Sequence, residues 1–216
     1  MKVFERKLFL DLASASGWQC SELEISSMAK LYTFFCKTAI PLGWVKVTDR
    51  EDFLLRHLID SVLPFSLKPE LLEFNYLVDI GSGPGLPLFP VLSVFPSLRG
   101  LIIDRRTKLK NFYFKFKKHF PEIKFDYFIG SPVQLNRRFY IPEEIGLKVL
   151  ILSRAAMPTE FFFQQIDSSS LKNEAILLYK GPGFKTKHND ASFTSISGCL
   201  ADGRVRKYIF FTGNID

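Results

Sequence analysis

The chain has 216 residues, enough for one full hydrophobic core with a modest addition, and no apolar run in it reaches membrane-spanning length. Its 29 Lys and Arg stand against 22 Asp and Glu, a formal charge of +7 that suits a polyanionic partner without separating RNA from DNA or an acidic membrane surface. Cys20, Cys36 and Cys199 are odd in number and widely spaced, and His57, His119 and His188 show no ligand pairing, which argues against a disulfide scaffold and a metal site.

Charges at Lys2, Glu5, Arg6, Lys7 and Asp11 interrupt the first apolar residues, unlike a signal peptide, and residues 4–15 read as a helix. A second helix is expected over 22–40, with Leu23, Met28, Leu31, Phe34, Phe35 and Thr38 near one face and Pro41 and Gly43 as its stop. Beyond a linker at 44–47, Asp49 with Asp52 three positions later reads as the start of a third helix. That helix carries Phe53, Leu54, Leu58 and Val62 and closes at Pro64 and Pro69. Residues 1–72 are therefore expected as a helical region packed on a sheet domain of residues 73–216. Within it Arg56 and Asp60 are four apart on one face, and His57 and Ser61 occupy the next track. They read either as a surface ion pair beside a core-edge histidine or as a polar face closing over a ligand crevice.

The stretch Leu77 to Val91, LVDIGSGPGLPLFPV, has the grammar of strand, tight turn and helix. Gly81, Gly83 and Gly85 alternate in the turn, but Leu86 holds the sixth position, where a dinucleotide fingerprint needs glycine. A phosphate loop would need Gly-Lys-Ser or Gly-Lys-Thr, which is absent. Asp79, two residues before the turn, is costly beside a phosphate and suits a cationic or amine-bearing ligand. S-adenosylmethionine carries an ammonium and a sulfonium. The alternative is a Gly/Pro-rich connection in which Asp79 only caps the turn.

One helix-length later the apolar triplet Leu101-Ile102-Ile103 ends at Asp104, where α/β folds place a carboxylate that accepts from ribose hydroxyls. Asp104 would equally serve to start the next helix. Arg105, Arg106, Lys108, Lys110, Lys115, Lys117 and Lys118 follow, while Leu109, Phe112, Phe116 and Phe120 recur at helical spacing. This amphipathic helix presents either a nucleic-acid surface or a solvated basic face. Residues 123–129 alternate as a third strand, and Leu147 to Leu152 reads as a buried parallel strand ending at Ser153-Arg154-Ala155. A helix over 161–170, a strand over 175–179, a loop over 180–184 and a closing strand over 205–211 complete the pattern. Most of the 23 phenylalanines follow helix or strand periods and are expected in the core.

Together these features resemble one family, the bacterial 16S ribosomal RNA guanine-N7 methyltransferases, once called glucose-inhibited division protein B. The matching segments are LLRHLIDS from Leu54, LVDIGSGPGLPLFPV from Leu77, LIIDRRTKLKNF from Leu101, ILSRAA from Ile151 and LLYKG from Leu177. The resemblance implies a class I S-adenosylmethionine-dependent methyltransferase: a Rossmann-like α/β fold, mostly parallel with an antiparallel last strand, plus an N-terminal helical extension. It implies Gly81, Ser82, Gly83 and Gly85 around the methionine part of S-adenosylmethionine, Asp79 beneath the turn and Asp104 at the ribose. Leu86, Arg105, Val133 and Gln134 are further candidate cofactor contacts. Arg56, His57, Asp60 and Ser61 would line the pocket mouth, and Arg154 and Lys180 match basic positions of the cofactor and RNA face. Two departures stand out. Gly43-Trp44-Val45 replaces a usual Asn-Leu-Thr, and Pro132-Val133-Gln134-Leu135 replaces Arg-x-Glu-Glu, so adenine contacts would shift to backbone groups and Gln134.

The activity implied is methyl transfer from S-adenosylmethionine to N7 of a guanine in 16S ribosomal RNA, free or in the small ribosomal subunit. A monomeric, cytoplasmic enzyme without metal is expected. Guanine N7 already presents a lone pair, so no base has to remove a proton first. Arg154, ahead of His57, is the candidate catalytic residue. Candidate RNA contacts are Arg56, His57, Lys108, Lys110, Lys115, Lys117, Lys118 and Lys180. Two alternatives remain: a methyltransferase acting on a small molecule or protein, which has no need of the basic helix, and a non-catalytic RNA- or ribosome-binding protein that keeps the fold.

Overall fold

The computed structural model describes residues 3–154, 157–172, 174–184 and 193–212; Ala155, read above as part of a strand end, lies outside them. Helices α1 (Arg6–Ala15) and α2 (Glu22–Lys37) open the chain. Ser21 starts α2 with a reciprocal cap: its Oγ accepts the Glu24 N–H at 3.3 Å, and the Glu24 carboxylate accepts the Ser21 N–H at 2.6 Å. Asp49 caps α3 (Arg50–Phe53) as expected, accepting the Asp52 N–H at 2.8 Å.

The next turn departs from the expected helix. Leu54–Ile59 winds as a π-helix, and α4 (Asp60–Leu67) then runs through Pro64 instead of stopping there. The wide turn changes register just before the proline, where one ladder hydrogen bond is lost in any case. It also undoes the expected pairing of Arg56 with Asp60. Arg56 stays at the surface, 3.2 Å from Asp52, whereas Asp60 is only 1% exposed.

The sheet follows from Tyr76. In chain order come β1 (Tyr76–Ile80), α5 (Leu88–Val94), β2 (Arg99–Asp104), α6 (Lys110–His119) and β3 (Phe125–Ile129). Then come α7 (Arg137–Tyr140), β4 (Val149–Arg154), α8 (Thr159–Asp167), β5 (Ala175–Lys180), β6 (Phe193–Cys199) and β7 (Val205–Phe211). The spatial order is β3-β2-β1-β4-β5-β7-β6, with the first five parallel and β7 inserted antiparallel between β5 and β6. This is the expected class I Rossmann-like methyltransferase architecture, with one strand more than the sequence suggested. β6 escaped notice because Thr194-Ser195-Ile196-Ser197-Gly198 buries only Ile196 and so carries no apolar run.

β1 is buried along its whole length, as a central parallel strand must be when helices cover both faces. One face, with Leu77, Ile102, Leu150 and Leu177, shares a continuous core with Phe9, Phe35 and Leu58 of the N-terminal helices. The other, with Val78, Ile80, Ile151 and Ile176, packs on Phe162 and Ile166 of α8. Phe34 of α2 meets Phe112 and Phe116 of α6 at ring distances of 5.6 and 5.3 Å. Fully burying each such ring contributes about 1.5–3 kcal/mol, so α2 and α6 are held as one body. Among the described residues no helix is long and apolar enough to cross a membrane, and no group of three or more His, Cys, Asp or Glu side chains is placed to hold a metal ion.

Candidate active site

The sheet reverses its winding between β1 and β4, and an open α/β sheet binds its ligand beyond the carboxyl ends of strands at such a point. A cleft of about 400 Å³ lies there, within the range of small-molecule sites. Its polar wall is Gly81, Asp104, Arg105 and Arg106; Ile80, Ile103, Pro132, Met157 and Phe161 supply the apolar one.

The glycine turn is set by its backbone and held from below. Gly81 and Gly85 adopt φ of 73° and 91°, a region that L side chains avoid. A Cβ at Gly85 would lie 2.1 Å from Phe89, so the close approach of turn and α5 also demands glycine. Gly81 N–H donates to the Ile103 carbonyl at 2.8 Å and Gly83 N–H to Asp104 Oδ2 at 2.8 Å, tying the turn to β2. From α6 the buried Tyr113 hydroxyl donates to the Gly83 carbonyl at 2.5 Å.

Asp79 lies beneath this turn, fully buried. Its Oδ2 accepts from Ser82 Oγ at 2.5 Å and Leu88 N–H at 3.2 Å, while Oδ1 is buried with no partner among the described residues. Burial drives its pKa up to about 7, against the pull of the Ser82 and Leu88 hydrogen bonds. Asp104 behaves differently. Burial raises its pKa, but hydrogen bonds from Arg106 and Gly83 outweigh that and hold it below the ordinary carboxylate value.

The residues fit an adenosyl cofactor in three respects. An apolar wall faces a polar one, the turn brings the Gly81 backbone to the cleft in a conformation that side chains avoid, and an acid ends β2 at the cleft wall. Ser82 and Leu86 are buried in the turn itself. Arg105 turns toward α8, its Nη2 donating to Gln165 Oε1 at 3.0 Å. Val133 and Gln134 are not on the wall; Pro132 takes that place. Gln134 is occupied in its own turn, where Oε1 accepts Ser131 N–H at 2.9 Å and Ser131 Oγ at 3.1 Å. Sequence reasoning did not single out Met157, Phe161 or Tyr113; it had Arg106 only within the basic run and Pro132 only within the altered 132–135 segment.

At the end of β4, Arg154 reaches back to the N-terminal helices. Its Nη1 lies 3.0 Å from the Arg56 carbonyl, 3.2 Å from Ser61 Oγ and 3.4 Å from Asp60 Oδ2. Asp60 also receives a fork from Arg206 of β7, Nε at 2.8 Å and Nη2 at 2.7 Å, and the Tyr208 hydroxyl at 2.8 Å. The expected polar face is therefore a buried junction of α4, β4 and β7. His57 is half-buried: Nε2 lies 3.4 Å from the Lys46 carbonyl, and buried Nδ1 has no partner among the described residues. Burial and then the charges of Arg154 and Arg56 lower its pKa to about 3, so its imidazole is neutral near pH 7. It offers no cation to a phosphate.

The candidate RNA-binding lysines do not line the cleft. Lys108, in the turn before α6, and Lys110, Lys115 and Lys118 along it are exposed, with Lys118 Nζ 4.5 Å from the Phe114 ring centre. Lys117 is drawn to Asp126 at 2.7 Å. Lys180 donates to Thr159 Oγ1 at 2.8 Å and stands 5.1 Å from the Phe184 ring centre, and burial lowers its pKa.

Residues 24–200 match the family described as GidB, rRNA small subunit methyltransferase G. Three relatives carry the name ribosomal RNA small subunit methyltransferase G. That of Pediococcus pentosaceus is 31% identical over 93 residues, 43% of this chain and 38% of the relative. The protein of Exiguobacterium sp. is 28% identical over 100 residues, 46% of this chain and 42% of the relative. That of Acetivibrio thermocellus is 31% identical over 110 residues, 49% of this chain and 44% of the relative. The chain thus spans less than half the length of these curated relatives.

Proposed function

Because the chain belongs to the GidB family of small-subunit ribosomal RNA methyltransferases, we propose that it transfers a methyl group from S-adenosylmethionine to N7 of a guanine in 16S ribosomal RNA. The observation that carries this reading is the glycine turn set against Asp104 at the mouth of the β1–β4 crevice. Bound S-adenosylmethionine supplies an electrophilic methyl group. Gly81 and Asp104 would hold its polar side, and Ile103, Pro132, Met157 and Phe161 would exclude water around its apolar one.

The guanine needs no deprotonation, so no general base is required, and His57, its pKa lowered to about 3 by burial, would be a weak one. Alignment is then the main contribution, worth up to about 7–11 kcal/mol in ideal cases. Arg154, fixed through Nη1 at the end of β4, is the candidate donor to guanine O6 or a flanking phosphate; its part is to position the base, since a cation does not stabilise a base that itself turns positive. The exposed lysines of α6 add a sequence-independent attraction for RNA that salt weakens.

The test incubates the protein and labelled cofactor with small ribosomal subunits, or with their RNA, from a strain lacking this methyltransferase. Label in RNA, mapped to one guanine by cleavage at N7-methyl sites, is the expected result. Label in protein alone overturns the substrate. A second reading, an RNA-binding protein without methyl transfer, draws on the engagement of Asp104 by Arg106 and the altered 132–135 turn. Titration with S-adenosylmethionine decides it, because absence of binding removes the enzyme.

A further inference from the structure

Asp104 is where the ribose of an adenosyl compound would rest, and its oxygens already have a full set of donors. Oδ1 accepts the Arg106 backbone N–H at 2.9 Å and Arg106 Nε at 3.0 Å. Oδ2 accepts Arg106 Nη2 at 2.8 Å and the Gly83 N–H at 2.8 Å. A carboxylate offers about four lone-pair positions, so no acceptor is left for a further hydroxyl.

The four donors are of two kinds. Two are backbone N–H groups, fixed by the strand end and the glycine turn. The other two, Nε and Nη2, form a fork on a side chain that is 45% exposed and free to take another rotamer. Withdrawing that fork opens one position on each oxygen, the pattern that a vicinal diol fills when both hydroxyls donate to one carboxylate. The same guanidinium covers the turn: a Cβ at Gly83 would lie 2.9 Å from Nη2. Arg106 is therefore part of the cleft wall at the point where a ribose has to enter.

We infer that Arg106 is a built-in competitor for the ribose site: its guanidinium imitates the two hydroxyls on Asp104, and an adenosyl ligand binds by displacing it. This rests on the adenosyl reading of the cleft. The neighbouring Arg105 has no such part, since it is turned to Gln165. Lysine cannot take the role in full, because an ammonium is a point charge without the planar fork. Partial exposure keeps the pair weak enough for a ligand to break, so the competition lowers apparent affinity by a modest factor.

Isothermal titration of the full chain, R106A and R106K with adenosine, S-adenosylhomocysteine and 2′,3′-dideoxyadenosine tests this. R106A is expected to bind the first two about three- to tenfold more tightly, with R106K between it and the parent. Dideoxyadenosine, which lacks the hydroxyls, leaves the fork in place and binds parent and R106A alike. In nitrogen-edited NMR spectra the Arg106 Nε–H signal, assigned by its loss in R106K, moves on saturation with adenosine and not with dideoxyadenosine. Equal tightening for dideoxyadenosine overturns the inference, because Arg106 then only crowds the cleft. So does unchanged or weaker adenosine binding in R106A, while parent binding keeps the cofactor reading intact. If neither protein binds any adenosyl ligand, both fall together.

Discussion

Asp60 and Asp79 are both buried acids of this chain, and their surroundings are opposites. Asp60, at the junction of α4, β4 and β7, receives two arginines and a tyrosine. Among the described residues, Asp79, under the glycine turn, has no ion pair, and one of its oxygens lacks any donor. The first environment satisfies the charge and locks three elements together. The second leaves the charge under-compensated, which is the state of a site that reserves capacity for something else.

The largest test breaks the lock. D60A leaves Arg206, Arg154 and Tyr208 facing each other without their acceptor, and a loss of about 3–5 kcal/mol is expected in urea denaturation. Replacement of Asp79 goes the other way with pH. Its native pKa of about 7 lies above its ordinary 3.8, so the native state holds a proton that the unfolded chain releases. Stability from this group is full below about pH 4 and declines as pH rises to 7, by up to about 4 kcal/mol. Denaturation of D79N at pH 4 to 8 should show that slope reduced relative to the parent; parallel curves would mean that Asp79 is not the titrating group.

Two smaller changes sharpen the contrast. Y208F removes one donor from Asp60 but leaves the arginine fork, so about 1–2 kcal/mol is expected, well short of D60A. Y113F removes the donor to the Gly83 carbonyl, at about 1 kcal/mol of stability. Because it loosens the turn rather than the junction, Y113F should also weaken S-adenosylhomocysteine binding in titration, and Y208F should not.

The two regions also differ in how far they could be read in advance. The glycine turn is local: Asp79, Gly81, Gly83 and Gly85 fall within seven positions, and φ values above zero select the residue type directly. Asp104 followed from the strand before it. The junction was hidden because its parts are 94 to 148 residues apart and the π turn at Leu54–Ile59 re-aims Asp60 inward. Nothing in Arg56-His57-Leu58-Ile59-Asp60 signals a π turn, and straight helical spacing gave the wrong partner for Arg56. Arg105 and Arg106 were equivalent as letters; only the backbone direction after β2 decides which one folds back on Asp104. β6, with one apolar residue among Thr194-Ser195-Ile196-Ser197-Gly198, is held as a strand by the edge that β7 offers it.

The wide spacing within the junction bears on how the protein is made. Arg206 leaves the ribosome 146 residues after Asp60, so for most of translation the acid that α4 turns inward has none of its β7 partners. Contacts of such separation are slow to form and come late in folding. The nascent chain can assemble β1 to β5 in order, but the clasp across α4 closes only when the antiparallel strand slides in beside β5. An arrested chain ending before residue 205 is thus expected to resist protease poorly in α4, while the parallel part of the sheet is already formed.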